Sequence, residues 1–231
     1  MGDSGYTNPD LLWSITKLKD RLEDGSVRIV DTRPVHEYVA GHIPGAINLD
    51  VYGISLADTR PAPFVSFMTM YAYLMGSRGI GSDQTVVFYE NNSGMRSARA
   101  FWVCEYHGHK DVHVLDGGFD AWQKAGHPTT QACEEVGTTV FNSDPQPELN
   151  IGYEEILDSL EDESFVPLDT RSEGEHFGET VRAARGGAIP GAIHLEYVNN
   201  LDEHGYFKSG DELRTMYERA GIMPEQTVAC Y

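Results

Sequence analysis

The chain has 231 residues, of which 40% are hydrophobic, and this is enough to form two ordinary domains with proper cores. Its 17 basic and 36 acidic residues give a formal net charge of −19. A charge balance of this kind argues against a nucleic-acid-binding surface, because such surfaces need clustered Lys and Arg. An anionic ligand would have to be attracted by a local positive site against the field of the whole protein.

Three widely separated cysteines form neither a CxxC motif nor an even-numbered disulfide framework. Such cysteine usage is typical of a reducing compartment. The first residues contain neither the basic region nor the apolar stretch of a signal peptide. No apolar run approaches the roughly 18 residues that are needed to span a bilayer. We therefore expect a cytoplasmic protein that binds neither membrane nor nucleic acid.

Helix-like and strand-like stretches alternate along the first half of the chain. Apolar residues at helical spacing after Pro9 predict a first helix, and a β-rich run predicts a strand at 27–31. The same criteria then predict strands at 46–49, 85–89 and 112–115, and helices at 66–77, 97–106 and 119–125. This alternation predicts an α/β domain whose mostly parallel sheet is covered by helices on both faces.

Residues 127–150 mix proline, threonine and acidic residues without a helical period, and we interpret them as a linker region. The alternation then restarts, with helices predicted at 153–160 and 211–220 and strands at 165–169, 192–195 and 227–231. We therefore expect a first domain at 1–128, a linker at 129–150 and a second domain at 151–231.

The second half of the chain repeats the first. The two copies of Asp-Thr-Arg begin at residues 31 and 169, which is 138 apart, and the two copies of Ile-Pro-Gly-Ala-Ile begin at 43 and 189, which is 146 apart. The second copy therefore carries eight extra residues between these motifs. Gln-Thr-Val recurs at 84–86 and 226–228, and this places Glu90 opposite the position directly after Tyr231. A repeat of this kind indicates a duplicated domain.

These motifs, together with His-Ile-Pro-Gly-Ala at 42–46 and VLDGGFDAWQKAGHP at 114–128, resemble the rhodanese superfamily. Two copies with an insert in the second are similar to the tandem-domain thiosulfate sulfurtransferases. The resemblance implies an α/β fold with two rhodanese-like domains, each a mostly parallel sheet flanked by helices. It also implies that a nucleophilic cysteine opens the loop after the strand at 227–231, and that only the second domain carries it.

The placement of that cysteine has a physical reason. A loop between a strand and a helix N-terminus collects backbone N–H groups beside the positive end of the helix dipole. A cysteine in this loop has a lowered pKa and reacts as a thiolate. It would take the outer sulfur of thiosulfate as a persulfide, release sulfite and pass the sulfur on. The expected partners are a small anionic sulfur donor and a thiol or cyanide acceptor, with no cofactor.

The first copy has Glu90 at the position of the nucleophile, in a loop that ends with Arg96. A carboxylate cannot carry sulfur as a thiolate does, so we expect the first domain to be inactive. In the second copy the nucleophile is expected directly after Tyr231. We therefore expect the second domain to be incomplete, truncated just before its active-site loop, and the chain alone to be inactive. A C-terminal fragment produced by a nick in that exposed loop could remain bound as a partner.

Four residues of the second copy are candidates for substrate binding. Asp169 and Arg171 follow a predicted strand, and sites in α/β proteins form at the carboxyl ends of strands. Arg182 and Arg185 lie in the insert and bring two cations into an acidic protein. The resemblance implies that an arginine of this insert contacts the substrate, and the sequence does not decide between the two.

Simpler interpretations of several residues stay open. Each Asp-Thr-Arg arginine could hold its own loop by an ion pair with the next acidic residue, Glu37 or Glu175. Cys104 and Cys230 are interpreted as buried core thiols. The histidines within 107–113 are interpreted as a helix end, a turn and a strand start, and no metal site is expected there.

Three alternative functions also stay open. The sulfur donor could be 3-mercaptopyruvate, in which case the active-site loop would be rich in small residues. The chain could be a non-catalytic rhodanese-like binding module. It could also be a phosphatase, because the spacing from Glu90 to Arg96 is that of the Cys-x5-Arg motif, although Glu90 supplies no nucleophile.

Overall fold

The computed structural model describes residues 5–22, 25–56 and 58–231. They divide into two compact units. The N-terminal unit contains Asn8–Asn150 and Glu203–Phe207, and the C-terminal unit contains Ile151–Asp202 and Lys208–Tyr231 together with residues 5–7. None of the helices in these described ranges is long and apolar enough to cross a membrane.

The N-terminal unit is built on a parallel sheet with helices between its strands. The strands are β1 (Leu12–Trp13), β2 (Val27–Asp31), β3 (Ile47–Asn48), β4 (Thr85–Tyr89) and β5 (Val112–Leu115), in the spatial order β1-β5-β4-β2-β3. The α-helices are α1 (Ile15–Arg21), α2 (Val35–Ala40), α3 (Pro61–Ser77), α4 (Met95–Tyr106) and α5 (Gly118–Lys124). Short 3-10 turns lie at Pro9–Leu11 and Pro147–Leu149.

Both faces of this sheet are buried. In β4, Val86 and Phe88 pack in one hydrophobic cluster with side chains of α3 and α4. Val87 and Tyr89 pack in a second cluster with side chains of α1 and α5. Successive residues of a strand point to opposite faces, so the uninterrupted apolar run of β4 is that of a central strand covered on both sides.

The C-terminal unit contains a smaller parallel sheet. Its described strands are β6 (Phe165–Asp169), β7 (Ile193–His194) and β8 (Thr227–Cys230), in the order β7-β6-β8. Its helices are α6 (Tyr153–Ser159), α7 (Glu173–His176) and α8 (Gly210–Arg219), with a 3-10 turn at Tyr197–Asn200. All of β6 is buried, and its residues form a core with Ile222 and with the partly buried Tyr217 of α8. The α/β class and the mostly parallel sheets predicted from the sequence are confirmed.

The strands predicted at 27–31, 85–89, 112–115 and 165–169 are confirmed with the same bounds. The first predicted helix is wrong in its start, because the chain forms a 3-10 turn and β1 before α1 begins at Ile15. The side chain of Ser14 accepts a hydrogen bond from the Lys17 N–H at 3.2 Å, and this cap sets the beginning of α1.

Candidate functional site

Asp169 and Arg171 form a fork at the carboxyl end of β6. Arg171 Nε and Nη2 donate to the two carboxylate oxygens of Asp169, at 2.9 and 2.7 Å, so the ion pair is bidentate. Arg171 Nη2 also donates to the carbonyl oxygen of Gly187 at 3.0 Å. The Asp169 side chain is fully buried, whereas that of Arg171 is 33% exposed. A buried carboxylate therefore holds a partly exposed guanidinium in a fixed direction.

Tyr231 follows β8, the strand that pairs with β6, and it lies beside this fork. Its carbonyl oxygen accepts hydrogen bonds from the N–H and the hydroxyl of Thr170, each at 3.0 Å. Its own hydroxyl accepts from the Ile189 N–H at 2.9 Å. The guanidinium of Arg171 lies over its ring, 5.0 Å from the centroid. The end of β8, the Asp-Thr-Arg turn and the Ile-Pro-Gly turn thus meet at one point.

Two histidines complete this arrangement. His176 Nδ1 lies 3.0 Å from Asp169 Oδ2, and since a carboxylate can only accept, Nδ1 carries the hydrogen. The ring of His176 stacks on that of His194, with 4.5 Å between centroids. His194 Nε2 in turn donates to the carbonyl oxygen of Arg171 at 2.9 Å. Aligning the two repeats by their motifs would have found both histidines, at the positions of Tyr38 and Asn48.

The charge of Asp169 is strongly stabilised. Burial alone would raise the pKa of this carboxyl group, but the hydrogen bonds from Arg171 and His176 outweigh it and hold the pKa well below its usual range. The fork therefore contains an ionised carboxylate and a permanently charged guanidinium at neutral pH.

The two insert arginines have different surroundings. Arg182 Nε lies 2.9 Å from Glu175 Oε1, although 72% of the Arg182 side chain is exposed. The same glutamate accepts from the N–H and hydroxyl of Ser172, which closes the capping box of α7. Arg185 is exposed and makes no ion pair with any residue that the structure describes. Arg182 is therefore tied to the helix that carries His176, and Arg185 is not.

The N-terminal unit contains the corresponding fork in a closed form. Arg33 Nη2 donates to Asp31 Oδ2 at 2.6 Å, and the two side chains are 4% and 0% exposed. The Tyr89 hydroxyl donates to the same carboxylate oxygen at 2.7 Å and accepts from the Ile43 N–H at 3.2 Å. Arg33 also donates to the carbonyl of Gly41, the position equivalent to Gly187. This fork has no open side for a ligand.

Glu90 lies directly after β4, in the loop that leads to α4. Its Oε1 accepts hydrogen bonds from the backbone N–H groups of Arg96 and Ser97, at 2.6 and 3.1 Å. These groups belong to the first turn of α4, where the helix dipole is positive. Burial raises the pKa of Glu90, and the hydrogen bonds from Ser97 and Arg96 only partly oppose it. The guanidinium of Arg96 does not join Glu90 but pairs with Asp50 at 2.8 Å.

Comparison with known proteins identifies the family. Residues 14–125 match the sequence profile of the rhodanese-like domain. The sulfur carrier protein TtuD of Thermus thermophilus is 31% identical over 240 residues, which cover 98% of this chain and 84% of the relative. The chain belongs to the rhodanese family of sulfurtransferases. The thiosulfate sulfurtransferase of Bos taurus is also 31% identical, over 86% of this rhodanese and 69% of its own length.

Solved structures show the same fold for this rhodanese. SseA from Escherichia coli, described as a 3-mercaptopyruvate sulfotransferase, superposes with a TM-score of 0.82 at 23% identity, over 95% of this chain and 87% of its own. EanB in complex with ergothioneine has a TM-score of 0.81, also at 23% identity, over 96% of this chain and 60% of its own. At this identity the likeness concerns the fold, and it agrees with a tandem rhodanese architecture.

The interpretation that each Asp-Thr-Arg arginine pairs with the following glutamate is wrong in both repeats of the rhodanese. Arg33 and Arg171 instead form their bidentate pairs with the aspartate of their own motif. Glu37 accepts a hydrogen bond from the side-chain amide of Asn91 at 2.8 Å, and Glu175 closes the capping box of α7. The aspartate two residues earlier is the last residue of a strand, and the guanidinium folds back onto it. The arginine therefore pairs with this aspartate and not with the glutamate.

The cysteines of this rhodanese lie in three different environments. Cys104 is buried in α4, as expected, and burial raises its pKa. Cys133 is exposed. The interpretation of Cys230 as a buried core thiol is wrong, because Cys230 is exposed on β8, an edge strand of the described sheet. Its pKa is nevertheless raised by partial burial of the thiol, which disfavours a role as nucleophile.

The histidines near residue 110 make ordinary structural contacts. His107 Nδ1 contacts the Ser143 hydroxyl at 2.6 Å, and His113 Nε2 contacts Asp111 at 2.8 Å. His109 Nε2 lies 3.3 Å from the carbonyl oxygen of Gly81. Within the described part of the chain, no three His, Cys, Asp or Glu side chains are grouped so that they could hold a metal ion.

Proposed function

We propose that the second repeat transfers the sulfane sulfur of thiosulfate to cyanide or a thiol through a cysteine persulfide. The observation that carries this proposal is the Asp169–Arg171 fork, which holds a partly exposed guanidinium beside the end of β8. A guanidinium fixed in this way suits an anionic donor, and a chain with a net charge of −19 needs such a local cation. The name of the Bos taurus relative, thiosulfate sulfurtransferase, supports the choice of donor.

The nucleophile belongs at the position that corresponds to Glu90, directly after Tyr231. In the first repeat, this position receives two backbone N–H groups from a helix N-terminus. A thiolate that received the same hydrogen bonds would have a lowered pKa and would be ready to react at neutral pH.

The reaction has two displacements. The thiolate attacks the outer sulfur of thiosulfate, a sulfur–sulfur bond forms to the enzyme, and the bond to the sulfonate sulfur breaks so that sulfite leaves with its electron pair. Cyanide or a thiolate then attacks the terminal sulfur of the persulfide and releases the enzyme thiolate. Arg171 binds the sulfonate oxygens of the donor, Asp169 orients Arg171, and Arg182 and Arg185 add positive charge from the insert.

A second candidate donor is 3-mercaptopyruvate. SseA, whose described substrate is 3-mercaptopyruvate, has the same fold over 95% of this chain. A guanidinium also binds a carboxylate, and since Asp169 and Gly187 already engage Nε and Nη2 of Arg171, its Nη1 would donate to the carboxylate of mercaptopyruvate.

The test is a comparison of the two donors with the natural full-length protein. We expect thiocyanate formation from thiosulfate and cyanide to have a higher kcat/KM than pyruvate formation from 3-mercaptopyruvate. Arg171→Ala is expected to raise the KM for thiosulfate about 10- to 100-fold, because a hydrogen bond to a charged group is lost. Arg182→Ala and Arg185→Ala, made separately, determine which insert arginine contributes.

Arg214→Ala is the matched control, since Arg214 is an exposed arginine on α8 that pairs with Asp211. It removes one positive charge from the same unit and is expected to leave the KM unchanged. Faster pyruvate formation would favour the second donor. An unchanged KM for both donors in Arg171→Ala would contradict the assignment of the fork.

A further inference from the structure

We propose that His176 is a positioning residue, which fixes the guanidinium of Arg171 through their shared partner Asp169. The proposal rests on the proposed function, because it takes Arg171 as the group that binds the sulfur donor. His176 itself needs no contact with the donor. Its role is to hold the carboxylate in the one orientation that points the arginine toward the end of β8.

The first observation is a difference between the repeats. Asp31 in the N-terminal unit receives its additional hydrogen bond from the Tyr89 hydroxyl, at 2.7 Å. The residue equivalent to His176 is Tyr38, whose hydroxyl donates to the carbonyl of Ala46 at 2.8 Å. In the second repeat the Tyr231 hydroxyl also interacts with the aspartate, but here the side chain of α7 reaches it as well, and His176 Nδ1 donates to Asp169 Oδ2. This contact belongs to the repeat whose fork is open.

The second observation is the difference in packing around the two arginines. Arg33 is 4% exposed and lies 3.9 Å from the ring centroid of Phe119, so its conformation is imposed by the core. Arg171 is 33% exposed and lies at the carboxyl end of β6, the central strand of the described sheet. A long side chain at such a position gains rotamer freedom when it is not held. Its carboxylate partner must therefore be fixed by other groups.

The third observation is that His176 is itself held from several sides. Its ring stacks on His194, which also donates to the carbonyl of Arg171, and it meets the edge of Phe177 at 4.9 Å. The helix that carries it is closed by the Ser172–Glu175 capping box. Only 15% of the His176 side chain is exposed. An imidazole held in this way transmits a fixed geometry to Asp169, and Asp169 transmits it to Arg171.

Three substitutions separate positioning from packing. His176→Phe keeps a ring on His194 but has no donor for Asp169. His176→Asn keeps a donor, because the asparagine Nδ2 occupies the place of the histidine Nδ1. His176→Gln places its amide where Nε2 lies and not Nδ1, so it serves as a second variant without the donor if His176→Phe fails to fold.

The experiment is steady-state kinetics of the natural full-length protein with thiosulfate and cyanide. We expect His176→Phe and His176→Gln to raise the KM for thiosulfate about 5-fold with little change in kcat, because donor binding alone is weakened. His176→Asn is expected to restore the wild-type KM. A purely structural role would lower the melting temperature of the variants without this rescue, and that result would overturn the proposal.

Arg171→Ala distinguishes a failure of the binding role of Arg171 from a failure of the positioning role of His176. If Arg171→Ala raises the KM and His176→Phe does not, the positioning role is wrong while the proposed function stands. If Arg171→Ala leaves the KM unchanged, the proposed function of the fork is wrong and the role of His176 falls with it. If both raise the KM and His176→Asn restores it, the positioning role is supported.

Discussion

Two forks with the same three-residue motif lie in different settings in the two repeats. In each, an arginine folds back onto the aspartate two residues earlier and also donates to a glycine carbonyl at an equivalent position. The fork of Arg33 is enclosed, whereas the guanidinium of Arg171 is partly exposed. In both repeats, Asp-Thr-Arg therefore joins the end of a strand to the turn that follows it. Only in the second repeat does the arginine remain partly open, as the proposed binding of an anionic donor requires.

The loop after β4 in the first repeat is enclosed, like the fork of Arg33. Glu90 takes the N–H groups at the start of α4, so the loop already holds an anion of its own chain. Residues Glu203–Phe207 also cover this loop, since the carbonyl of Gly205 accepts from the Ser93 N–H at 2.9 Å. The ring of Tyr206 lies so close to Gly117 (φ +79°) that a Cβ there would be 2.5 Å from it. The loop after β4 is thus filled by groups of the N-terminal unit itself.

Replacing the aspartate of each fork by alanine is expected to have the largest effect on the free energy of unfolding, and the effect should differ between the two units. Asp31→Ala leaves the buried Arg33 without its partner, and this should cost about 3–5 kcal/mol of unfolding free energy in the N-terminal unit. Asp169→Ala should cost about 1–2 kcal/mol in the C-terminal unit, because the half-open Arg171 regains water. Hydrogen exchange of the β2 and β6 amides measures the two units separately.

The exposed pair Asp58–Arg60 is the control for this measurement. Both of its side chains are at least 40% exposed, so Asp58→Ala is expected to leave the exchange of β2 unchanged. Equal losses for Asp31→Ala and Asp169→Ala would mean that the exposure of the arginine does not determine the stability of the fork.

Tyr89, the last residue of β4, and Tyr231, the residue directly after β8, should differ in the same direction but by a smaller free energy of unfolding. Tyr89→Phe removes a donor from Asp31 and an acceptor from the Ile43 N–H inside the core, which should cost about 1–3 kcal/mol. Tyr231→Phe removes the acceptor of the Ile189 N–H and the hydroxyl that interacts with Asp169, but at a partly exposed position, and the cost should be below about 1 kcal/mol. Urea unfolding and the same amide exchange measure the loss of unfolding free energy in both variants. A larger loss in Tyr231→Phe than in Tyr89→Phe would contradict this expectation.

The long strands could be predicted to the residue because each is an apolar run bounded by turn residues. The two-residue strands β3 and β7 were predicted too, but with wider bounds, at 46–49 and 192–195. The two-residue strand β1 and the short helices α2 and α7 carry too few residues for a periodic signal. The start of α1 was missed because leucines at helical spacing extend back through β1, and the Ser14 cap decides where the helix begins.

The site was predictable only in part. Asp169 and Arg171 could be placed at a strand end from the motif alone, but the choice between Asp169 and Glu175 as the partner of Arg171 depends on how the side chain folds back. His176 lies seven residues from Asp169, and no local charge pattern points to their contact. The insert also shifts the alignment of the repeats by eight residues. His194 is therefore recognised as the equivalent of Asn48 only when the eight extra residues are taken into account.

The smallest expected effect concerns pH. Acidification should change the contributions of Glu90 and Asp169 to the free energy of unfolding in opposite directions. Burial raises the folded-state pKa of Glu90 above 4.5, so its contribution to stability is complete below pH 4.5 and is lost as the pH rises through that raised pKa. The folded-state pKa of Asp169 lies well below 3.8 despite burial, because Arg171 and His176 donate to it, so its contribution is present above pH 3.8 and is lost on further acidification. Between about pH 7 and pH 3, the stability of the wild type relative to Glu90→Gln should therefore rise in the N-terminal unit, while its stability relative to Asp169→Asn should fall in the C-terminal unit. Amide exchange at a series of pH values measures both differences, and a change of the same sign in the two units would show that the two carboxylates are not held in the opposite ways that their partners imply.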